Sequence, residues 1–351
     1  MTNNGSQPVK LLRNFWYVAM PARELKPGKL IAKTLLNEPV MFGRAKDGAP
    51  FALRNVCPHR GMPLSNGWID EEGVSCCYHG WKFGPDGGCV NIPSLLPEEK
   101  ASCSRIRVNN YPCREVQGII WVFIGDEHEP AVLPEVPRAE GFGNVAPQVH
   151  CVVPYALDAD NAIYTLMDPS HVAYVHTSWF VKRDKNNLRE RKKTFEPMPL
   201  GWRMKRHKVP AEHRAYRLFG KDVTTEICYV LPGTRIESIS GDRHCAVTFM
   251  AATPLTDQET AIHMYFYWTH KWLNPFWWVV HFFTRHFLNQ DRRAAIKHRE
   301  GLRYDPTLIF FGGGDAQAAW FHRLRVAWFR SEAANQPFEN PLREETLRWR
   351  S

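Results

Sequence analysis

Two short patterns of cysteine and histidine constrain the fold of this chain more than any other feature. Residues 57–59 read Cys-Pro-His, and residues 76–79 read Cys-Cys-Tyr-His. A glycine follows each pattern, at Gly61 and at Gly80. Two thiolates and two imidazoles can bind zinc or an iron–sulfur cluster. Two similar loops that clamp a group from two sides favour the cluster, with both thiolates on one iron and both imidazoles on the other.

The remaining cysteines and the start of the chain indicate a reduced compartment. The sequence has nine cysteines, an odd number in a chain of 351 residues, so a disulfide framework is not expected. Cys89, Cys103 and Cys113 are interpreted as ordinary buried thiols. The first ten residues have no apolar signal core, and the predicted localisation is cytoplasmic.

The order of strand and helix patterns predicts an α+β protein with two domains. Residues 1–125 combine short apolar strands with many turn signals and predict an all-β domain. Residues 126–150 are rich in proline and acids and are interpreted as a linker. Residues 151–351 alternate between strand-like and helix-like patterns, which predicts an antiparallel sheet flanked by helices.

A second pattern with metal-ligand chemistry lies in the helical segment after the linker. Residues 168–176 read Asp-Pro-Ser-His-Val-Ala-Tyr-Val-His. Two imidazoles and one carboxylate form the facial triad of non-haem iron oxygenases. Five residues turn an ideal helix by ~140°, so the helix must end or distort near His176 if both histidines bind one ion. Two alternatives stay open at this stage: a histidine pair without a metal, and Asp168 as a helix N-cap before Pro169.

The first pattern, in the context CPHRGMPLSNG and CCYHGWKF, resembles the Rieske [2Fe–2S] family. The resemblance implies that Cys57, His59, Cys76 and His79 bind the cluster. Cys77 stays an alternative to Cys76, although the spacing to His79 favours Cys76. Respiratory Rieske proteins have an extra disulfide between the two loops. Met62 and Tyr78 occupy those positions here, which indicates the oxygenase-type branch.

The second pattern, LMDPSHVAYVH, resembles the mononuclear iron motif in the catalytic domain of Rieske oxygenases. The resemblance implies that His171 and His176 bind Fe(II), that an Asp at the start of a late helix completes the site, and that O2 is a co-substrate. The segment LNQD makes Asp291 the expected third ligand, with Glu300 and Asp305 as weaker candidates.

The resemblance also implies a role for Asp168 and an oligomer. In the family this carboxylate bridges an iron-ligand histidine and a cluster-ligand histidine of the neighbouring subunit, so Asp168 is the expected inter-subunit electron bridge and a homotrimer is expected. Many demethylating members have Asn three residues before this Asp. This chain has Thr165 there and Asn161 one turn earlier, which leaves the substrate class open.

The sequence predicts that electrons come from a separate protein. Residues 141–146 read Gly-Phe-Gly-Asn-Val-Ala, but they follow the linker rather than a strand and are interpreted as a turn, not a dinucleotide site. A reductase or ferredoxin is therefore expected, and the net charge of +9 suits an acidic ferredoxin. The cationic run Lys182–Lys193 is interpreted as a solvated loop or docking surface, and nucleic acid is not an expected partner.

The aromatic stretch Trp272–Phe287 has three interpretations. A buried core helix is favoured, and the alternatives are a lid over an apolar substrate channel and a contact with a membrane surface. This stretch and the later GGGDAQAAWFHRLRVAWFR resemble the pheophorbide oxygenase and demethylating monooxygenase branch. Trp179 and Phe180 are candidate pocket residues because they closely follow the iron motif.

These expectations combine into one function and two alternatives. The chain is expected to be a terminal oxygenase that hydroxylates or oxidatively demethylates a hydrophobic, aromatic or polycyclic small molecule. The first alternative is a Rieske electron carrier with a degenerate second domain. The second is a binding module stabilised by zinc.

Overall fold

The computed structural model describes residues 10–96, 103, 105–126, 133–176, 188–209 and 214–351, with side chains in the last range from residue 216. These residues form two compact units. In these parts of the chain, no helix is both long enough and apolar enough to cross a membrane. The domain boundaries predicted at residues 1–125, 126–150 and 151–351 stay predictions.

The first unit contains residues 13–138 and 142–146 and is built from short antiparallel strands. A three-stranded sheet has the order β1-β11-β10, and two four-stranded sheets have the orders β2-β3-β4-β9 and β5-β6-β7-β8. The strands are β1 Phe15–Pro21, β2 Ile31–Leu35, β3 Glu38–Arg44, β4 Pro50–Arg54, β5 Trp68–Ile69, β6 Val74–Ser75, β7 Lys82–Phe83, β8 Cys89–Asn91, β9 Asn110–Tyr111, β10 Cys113–Val116 and β11 Ile119–Ile124. Three-residue 3-10 helices span Ala22–Glu24 and Leu64–Asn66.

The two Cys/His loops of this unit begin in its apolar core. The first follows β4 and the second joins β6 to β7. Cys57 and Cys76 belong to the same buried cluster as Leu53, Val74 and Phe83. The sulfur atoms are therefore anchored on strand ends that are fixed by packing, while the residues that follow each cysteine turn outward.

The second unit contains residues 147–351 and short pieces at residues 10–12 and 139–141. Its eight strands are β12 Val149–Tyr155, β13 Glu190–Met198, β14 Gly201–Lys208, β15 Thr224–Val230, β16 Thr234–Ser240, β17 Cys245–Thr256, β18 Glu259–Trp268 and β19 Glu345–Arg350. Its helices are α1 Ala159–Met167, α2 Val172–Val175, α3 Trp277–Leu302 and α4 Gly312–Ala334, with 3-10 helices at Arg214–Phe219 and Lys271–Phe276.

One antiparallel sheet, with the order β12-β18-β17-β16-β15-β14-β13-β19, supports the helices of this unit. Its register places Cys151, Met250, Tyr229 and Trp202 on the same face. On that face Cys151 contacts α3 and Trp202 contacts α4. The predicted α+β class, with an all-β first part and an antiparallel sheet flanked by helices, is confirmed.

The favoured interpretation of the aromatic stretch as a buried core helix is wrong. Its last eleven residues form the first part of α3, but five of its seven aromatic side chains are exposed. The remaining two, Phe283 and Phe287, are partly buried. The number of apolar residues in a helix predicts burial only for the side that another element covers. The sheet covers the side of α3 opposite to the exposed aromatic residues.

Candidate metal centres

The two Cys/His loops of the first unit repeat the same backbone hydrogen bonds. In the first loop, the amide of Cys57 donates to the carbonyl of Met62 at 2.8 Å, and the amide of Gly61 donates to the carbonyl of Cys57 at 2.9 Å. In the second loop, Cys76 makes the corresponding bonds with the residues five and four positions later, both at 2.9 Å. The chain thus forms two equivalent turns, each of which starts at a buried cysteine.

Glycine is required at the same point of both turns. Gly61 has φ of +74° and Gly80 has φ of +71°, a left-handed conformation that other residues adopt at a cost. This conformation reverses the chain four residues after the cysteine in both loops. The glycines noted in the sequence therefore have a backbone role in both loops.

The four predicted cluster residues lie together at the tip of these loops. The sulfur atoms of Cys57 and Cys76 are close enough to share a hydrogen bond, and the rings of His59 and His79 lie 4.5 Å apart. Cys76 is buried, whereas Cys77 is exposed. The geometry therefore favours Cys76 as the ligand, in agreement with its spacing to His79.

The environment of these residues fits a [2Fe–2S] cluster. The Nδ1 atom of His59 is buried and has no hydrogen-bond partner among the described residues, as expected of an atom that binds a metal. Burial, and to a lesser degree the neighbouring Cys76, raise the pKa of the Cys57 thiol, so metal binding there releases a proton. Trp81, which sequence analysis did not single out, stacks on His59 at 4.5 Å with the ring planes 3° apart.

The second site is built where α1 ends and α2 makes a single turn. Asp168 ends α1, and α2 runs only from Val172 to Val175, between His171 and His176. The helix ends near His176, as is needed if both histidines bind one ion. His176 leaves helical geometry and thereby turns toward His171. The interpretation of Asp168 as an N-cap is wrong, since the residue caps the C-terminal end of α1 and His171 precedes α2.

Asp291 from the middle of α3 completes a three-residue group. Its Oδ1 atom lies 3.2 Å from Nε2 of His176 and 3.5 Å from Nε2 of His171. One ligand atom from each of the three residues lies within 4.8 Å of the other two. His176 and Asp291 are buried and His171 is partly buried. Two imidazoles and a carboxylate that face one point match the donor set of a mononuclear Fe(II) site.

The outer nitrogen of each histidine has a polar neighbour. Nδ1 of His176 lies 2.9 Å from Oε1 of Gln290, and Nδ1 of His171 lies 3.7 Å from Oδ2 of Asp168. An acceptor at Nδ1 keeps the proton there and leaves the Nε2 lone pair for a metal. Both rings are thus oriented with Nε2 toward Asp291.

The charges around His171 favour its protonated form when no metal is bound. Burial lowers its pKa, but Asp168 and Asp291 together outweigh that effect and raise the pKa to about 9. Burial likewise acts to raise the pKa of Asp168, but His171 and the amide of Ser170 bring it below its usual value. A cation is therefore favoured at this position, and a metal ion can replace the proton.

A cavity of about 310 Å³ opens beside the three-residue group. His171 and Asp291 lie in its wall, together with Asn161 and Thr165 of α1 and Asp315 of α4. Asn161 is held by Asp158, which caps α1 by accepting the Asn161 amide at 3.0 Å. The cavity gives a small molecule a route to the point that the ligands face.

The structure separates the remaining candidates. Glu300 lies near the C-terminal end of α3 and Asp305 lies beyond it, and both are exposed rather than part of the three-residue group. Trp179, Phe180 and the first six residues of the run Lys182–Lys193 lie outside the described residues. The thiols of Cys89 and Cys103 are buried as expected, whereas Cys113 is only partly buried.

Two residues of α3 that contact the site were not predicted. In the sequence Gln290 is one residue of the segment LNQD, and Phe287 is the last aromatic residue of the stretch Trp272–Phe287. Phe287 stacks on His176 with ring centroids 3.7 Å apart. Phe287 faces the same region as Asp291 because it lies four positions before it on α3. Gln290, the residue directly before Asp291, reaches the other ring nitrogen of His176.

Comparisons with known protein families agree with this division of the chain. The description "Rieske [2Fe-2S] domain" matches residues 15–112, and "Vanillate O-demethylase oxygenase C-terminal domain" matches residues 153–319. The chain therefore belongs to the Rieske oxygenases, in which a [2Fe–2S] domain is combined with a catalytic oxygenase domain. The two matches fit neither a Rieske electron carrier with a degenerate second domain nor a binding module stabilised by zinc, so both alternatives are wrong.

Individual relatives are similar to part of the chain. The chain is 31% identical over 173 residues to chloroplastic chlorophyllide a oxygenase of Arabidopsis thaliana, covering 49% of this chain and 30% of the relative. It is 30% identical over 235 residues to the toluene-4-sulfonate monooxygenase system iron-sulfur subunit of Comamonas testosteroni, covering 57% and 65%. The chain spans less than a third of the length of the first curated relatives that it matches.

Solved structures have the same fold. The crystal structure of dicamba monooxygenase bound to dicamba superposes with a TM-score of 0.70. The match covers 92% of this chain and 98% of the other, at 23% sequence identity.

Proposed function

We propose that this chain is the terminal oxygenase component of a multicomponent Rieske system. Its reaction is O2-dependent monooxygenation, by hydroxylation or oxidative demethylation, of a hydrophobic aromatic or polycyclic small molecule. The observation that carries this proposal is the group His171, His176 and Asp291 beside a cavity, in a chain that also has a Rieske domain. The substrate class is supported by the names of two similar proteins, which act on chlorophyllide a and toluene-4-sulfonate.

We assign the residues of the chain to two metal groups. Cys57, His59, Cys76 and His79 hold the cluster, and His171, His176 and Asp291 hold one Fe(II). When bound, the cluster supplies single electrons and the iron supplies the centre at which O2 is activated.

The neighbouring side chains hold protons and orient the ligands. Gln290 accepts the Nδ1 proton of His176, which fixes that ring in the orientation needed for metal binding. The carboxylate of Asp168 lies 3.7 Å from Nδ1 of His171, beyond hydrogen-bond distance, and acts on that ring through its charge. Asp168 is also the proposed bridge for electrons from the cluster of a neighbouring subunit. Phe287 covers the face of His176 and keeps water away from that side of the site.

The proposal includes three further elements that the sequence suggested. Electrons come from a separate reductase or ferredoxin, and the basic charge of the chain favours an acidic donor. The working assembly is a homotrimer in the cytoplasm. The domain boundaries are residues 1–125 and 151–351 with a linker between them.

Metal content gives the direct test of this assignment. The protein is purified without oxygen, and iron per chain is measured together with the EPR spectrum of the reduced form. About three irons per chain and a Rieske-type signal are expected, because the cluster holds two irons and the second site holds one. His171→Ala should lose the third iron and keep the signal. His322→Ala, a substitution of a partly buried histidine on α4, is the matched control and should keep all three.

Activity gives the second test. The protein is supplied with an electron-donating reductase and screened against aromatic ethers, aromatic sulfonates and polycyclic compounds. Oxygen uptake that matches the amount of product is expected for a true substrate. A protein that binds three irons but couples oxygen uptake to none of these compounds would contradict the proposed substrate class. A protein with two irons would contradict the oxygenase itself.

A further inference from the structure

The first turns of α3 and the 3-10 helix before them expose an unusual aromatic surface. Five large aromatic side chains within eleven residues are 47 to 64% exposed. They define the α3 aromatic face: Trp272, Phe276, Trp277, Trp278 and Phe282. Soluble surfaces rarely expose so many large aromatic groups together, and such patches mark sites of interaction.

The exposed residues continue as a stripe along one side of the helix. Trp278 and Phe282 are four positions apart and therefore lie one above the other. Arg285 lies three positions after Phe282, Arg292 lies seven positions after Arg285, and Ile296 lies four positions after Arg292. These steps keep the residues on one side of the helix, and all three are exposed. The outer side of α3 thus changes from aromatic at its N-terminal end to cationic toward its middle.

The charges of this segment are almost all positive. Between Lys271 and Arg299 the sequence has one acidic residue, Asp291, and that residue is buried in the metal site. The exposed charges in the same interval are cations: Lys271, Arg285, Arg292, Arg293 and Lys297. A partner for this surface therefore has an apolar part that accepts aromatic rings and a negative charge that meets the cations.

We propose that the α3 aromatic face lies on an anionic lipid bilayer, with the helix parallel to the membrane plane. Tryptophan prefers the boundary between headgroups and acyl chains, where its ring is apolar and its N–H stays hydrated. Interfacial helices combine such residues with Lys and Arg that meet anionic headgroups. The contact is peripheral, since α3 carries too many charges to cross the bilayer.

This placement brings the metal site close to the membrane. Asp291 lies nine residues after Phe282 on the same helix, which corresponds to roughly 13 Å along the axis at 1.5 Å per residue. A hydrophobic compound dissolved in the bilayer then has a short path to the site. The membrane contact itself does not depend on the proposed reaction, and its test needs no turnover.

Vesicle binding tests the proposal with the full chain. Sedimentation with vesicles of phosphatidylcholine is compared with vesicles that also contain phosphatidylglycerol. Binding is expected to the anionic vesicles, with a shift of the tryptophan emission to shorter wavelength, and is expected to weaken as salt is raised. Trp278→Glu/Phe282→Glu should lower the partition coefficient by at least about tenfold, because two apolar groups leave the interface and two negative charges enter it.

Matched variants separate the lipid contact from general effects. Trp68→Glu/Leu218→Glu removes two apolar groups of similar exposure elsewhere and adds the same charge, and it should bind vesicles like the unchanged protein. Lys271→Glu/Arg285→Glu should abolish the preference for phosphatidylglycerol. Cluster absorbance confirms that each variant is folded.

Three results would overturn the proposal. The first is that the unchanged protein binds neither kind of vesicle. The second is that both double glutamate variants of apolar residues lose binding equally. The third is that Trp278→Glu/Phe282→Glu changes the sedimentation coefficient of the oligomer without changing lipid binding, which would identify the face as a contact between copies of this chain.

Discussion

The side chain of Gln290 lies against His176, with 2.9 Å between its Oε1 atom and Nδ1 of the imidazole. The same ring points its Nε2 atom toward Asp291 at 3.2 Å. Gln290 and Asp291 are consecutive residues of α3, so one helix fixes both sides of one histidine. The orientation of His176 therefore depends on the position of α3 as much as on α2.

Replacing Gln290 tests whether this contact supports the metal site. Gln290→Leu removes the acceptor at Nδ1 while keeping a side chain of similar size, so the ring is no longer held in one tautomer. We expect Fe(II) affinity at the mononuclear site to fall about 10–100-fold, with the cluster unaffected. Titration of metal-depleted protein with Fe(II) measures this directly. Asn289→Leu, one residue away on the same helix, is the control, and equal affinities in both variants would remove Gln290 from the site.

The two adjacent cysteines of the second loop give a sharp contrast. Cys76 is buried next to Cys57, whereas Cys77 points to solvent. Cys76→Ser should abolish the Rieske EPR signal, because serine is a poor ligand for the cluster in place of a thiolate. Cys77→Ser should keep the signal at full intensity. The opposite pattern would mean that the loop is shifted by one residue when the cluster binds.

The cluster loops could be predicted from sequence because their chemistry is local. Cys57 and His59 lie in one loop and Cys76 and His79 in another, so spacing alone carries most of the information. The third iron ligand is different. Spacing alone could not select Asp291 from the other acids after His176, and it came only from the resemblance of the LNQD segment.

Contacts between distant parts of the chain account for most of what the sequence did not predict. Gln290 meets His176 across 114 residues, and no local pattern marks that pairing. The α3 aromatic face was misinterpreted for a related reason, since hydrophobicity does not say which side of a helix another element covers. The strand β19 was also missed. It pairs with β13 at the edge of the sheet, with Thr346 opposite Thr194, and an edge of this kind depends on a distant partner.

Asp168 is expected to affect electron delivery more than metal binding. In the unchanged protein the Ser170 amide donates to Oδ1 of Asp168 at 2.6 Å. Asp168→Asn keeps an oxygen that can accept this hydrogen bond but removes the negative charge beside His171. We expect both metal groups to remain, while oxidation of the reduced cluster during turnover slows by roughly 10–100-fold. Stopped-flow absorbance of the cluster measures that rate.

A second acid in the same cavity provides the control for Asp168. Asp315 accepts the backbone amide of Phe311 at 2.8 Å and also lines the cavity. Asp315→Asn removes the same charge from the same space without touching a metal ligand. Comparable slowing in both variants would indicate a general electrostatic effect of the cavity rather than a path through Asp168.

The buried ion pair between α1 and α4 predicts a dependence of stability on pH. Nη1 of Arg325 lies 2.8 Å from Oδ2 of Asp160, and both side chains are largely buried. Burial raises the pKa of Asp160 to about 7, although Arg325 acts to lower it, from an ordinary value of 3.8. Between these two values the folded state binds more protons than the unfolded state, so the free energy of unfolding falls as pH rises and levels off above pH 7.

Removing Arg325 should make the free energy of unfolding continue to fall at higher pH. Arg325→Met leaves the Asp160 carboxylate without its cation, which raises its folded pKa further. We expect destabilisation of about 3 kcal/mol well above pH 7 and a clearly smaller effect at pH 5, where Asp160 is protonated in the folded protein. Thermal unfolding midpoints at the two pH values measure the difference. As a control, Arg325→Met in an Asp160→Asn background should lower the free energy of unfolding by the same amount at both pH values. If Arg325→Met has the same effect at both pH values while Asp160 is intact, the pair makes no charge-dependent contribution to stability.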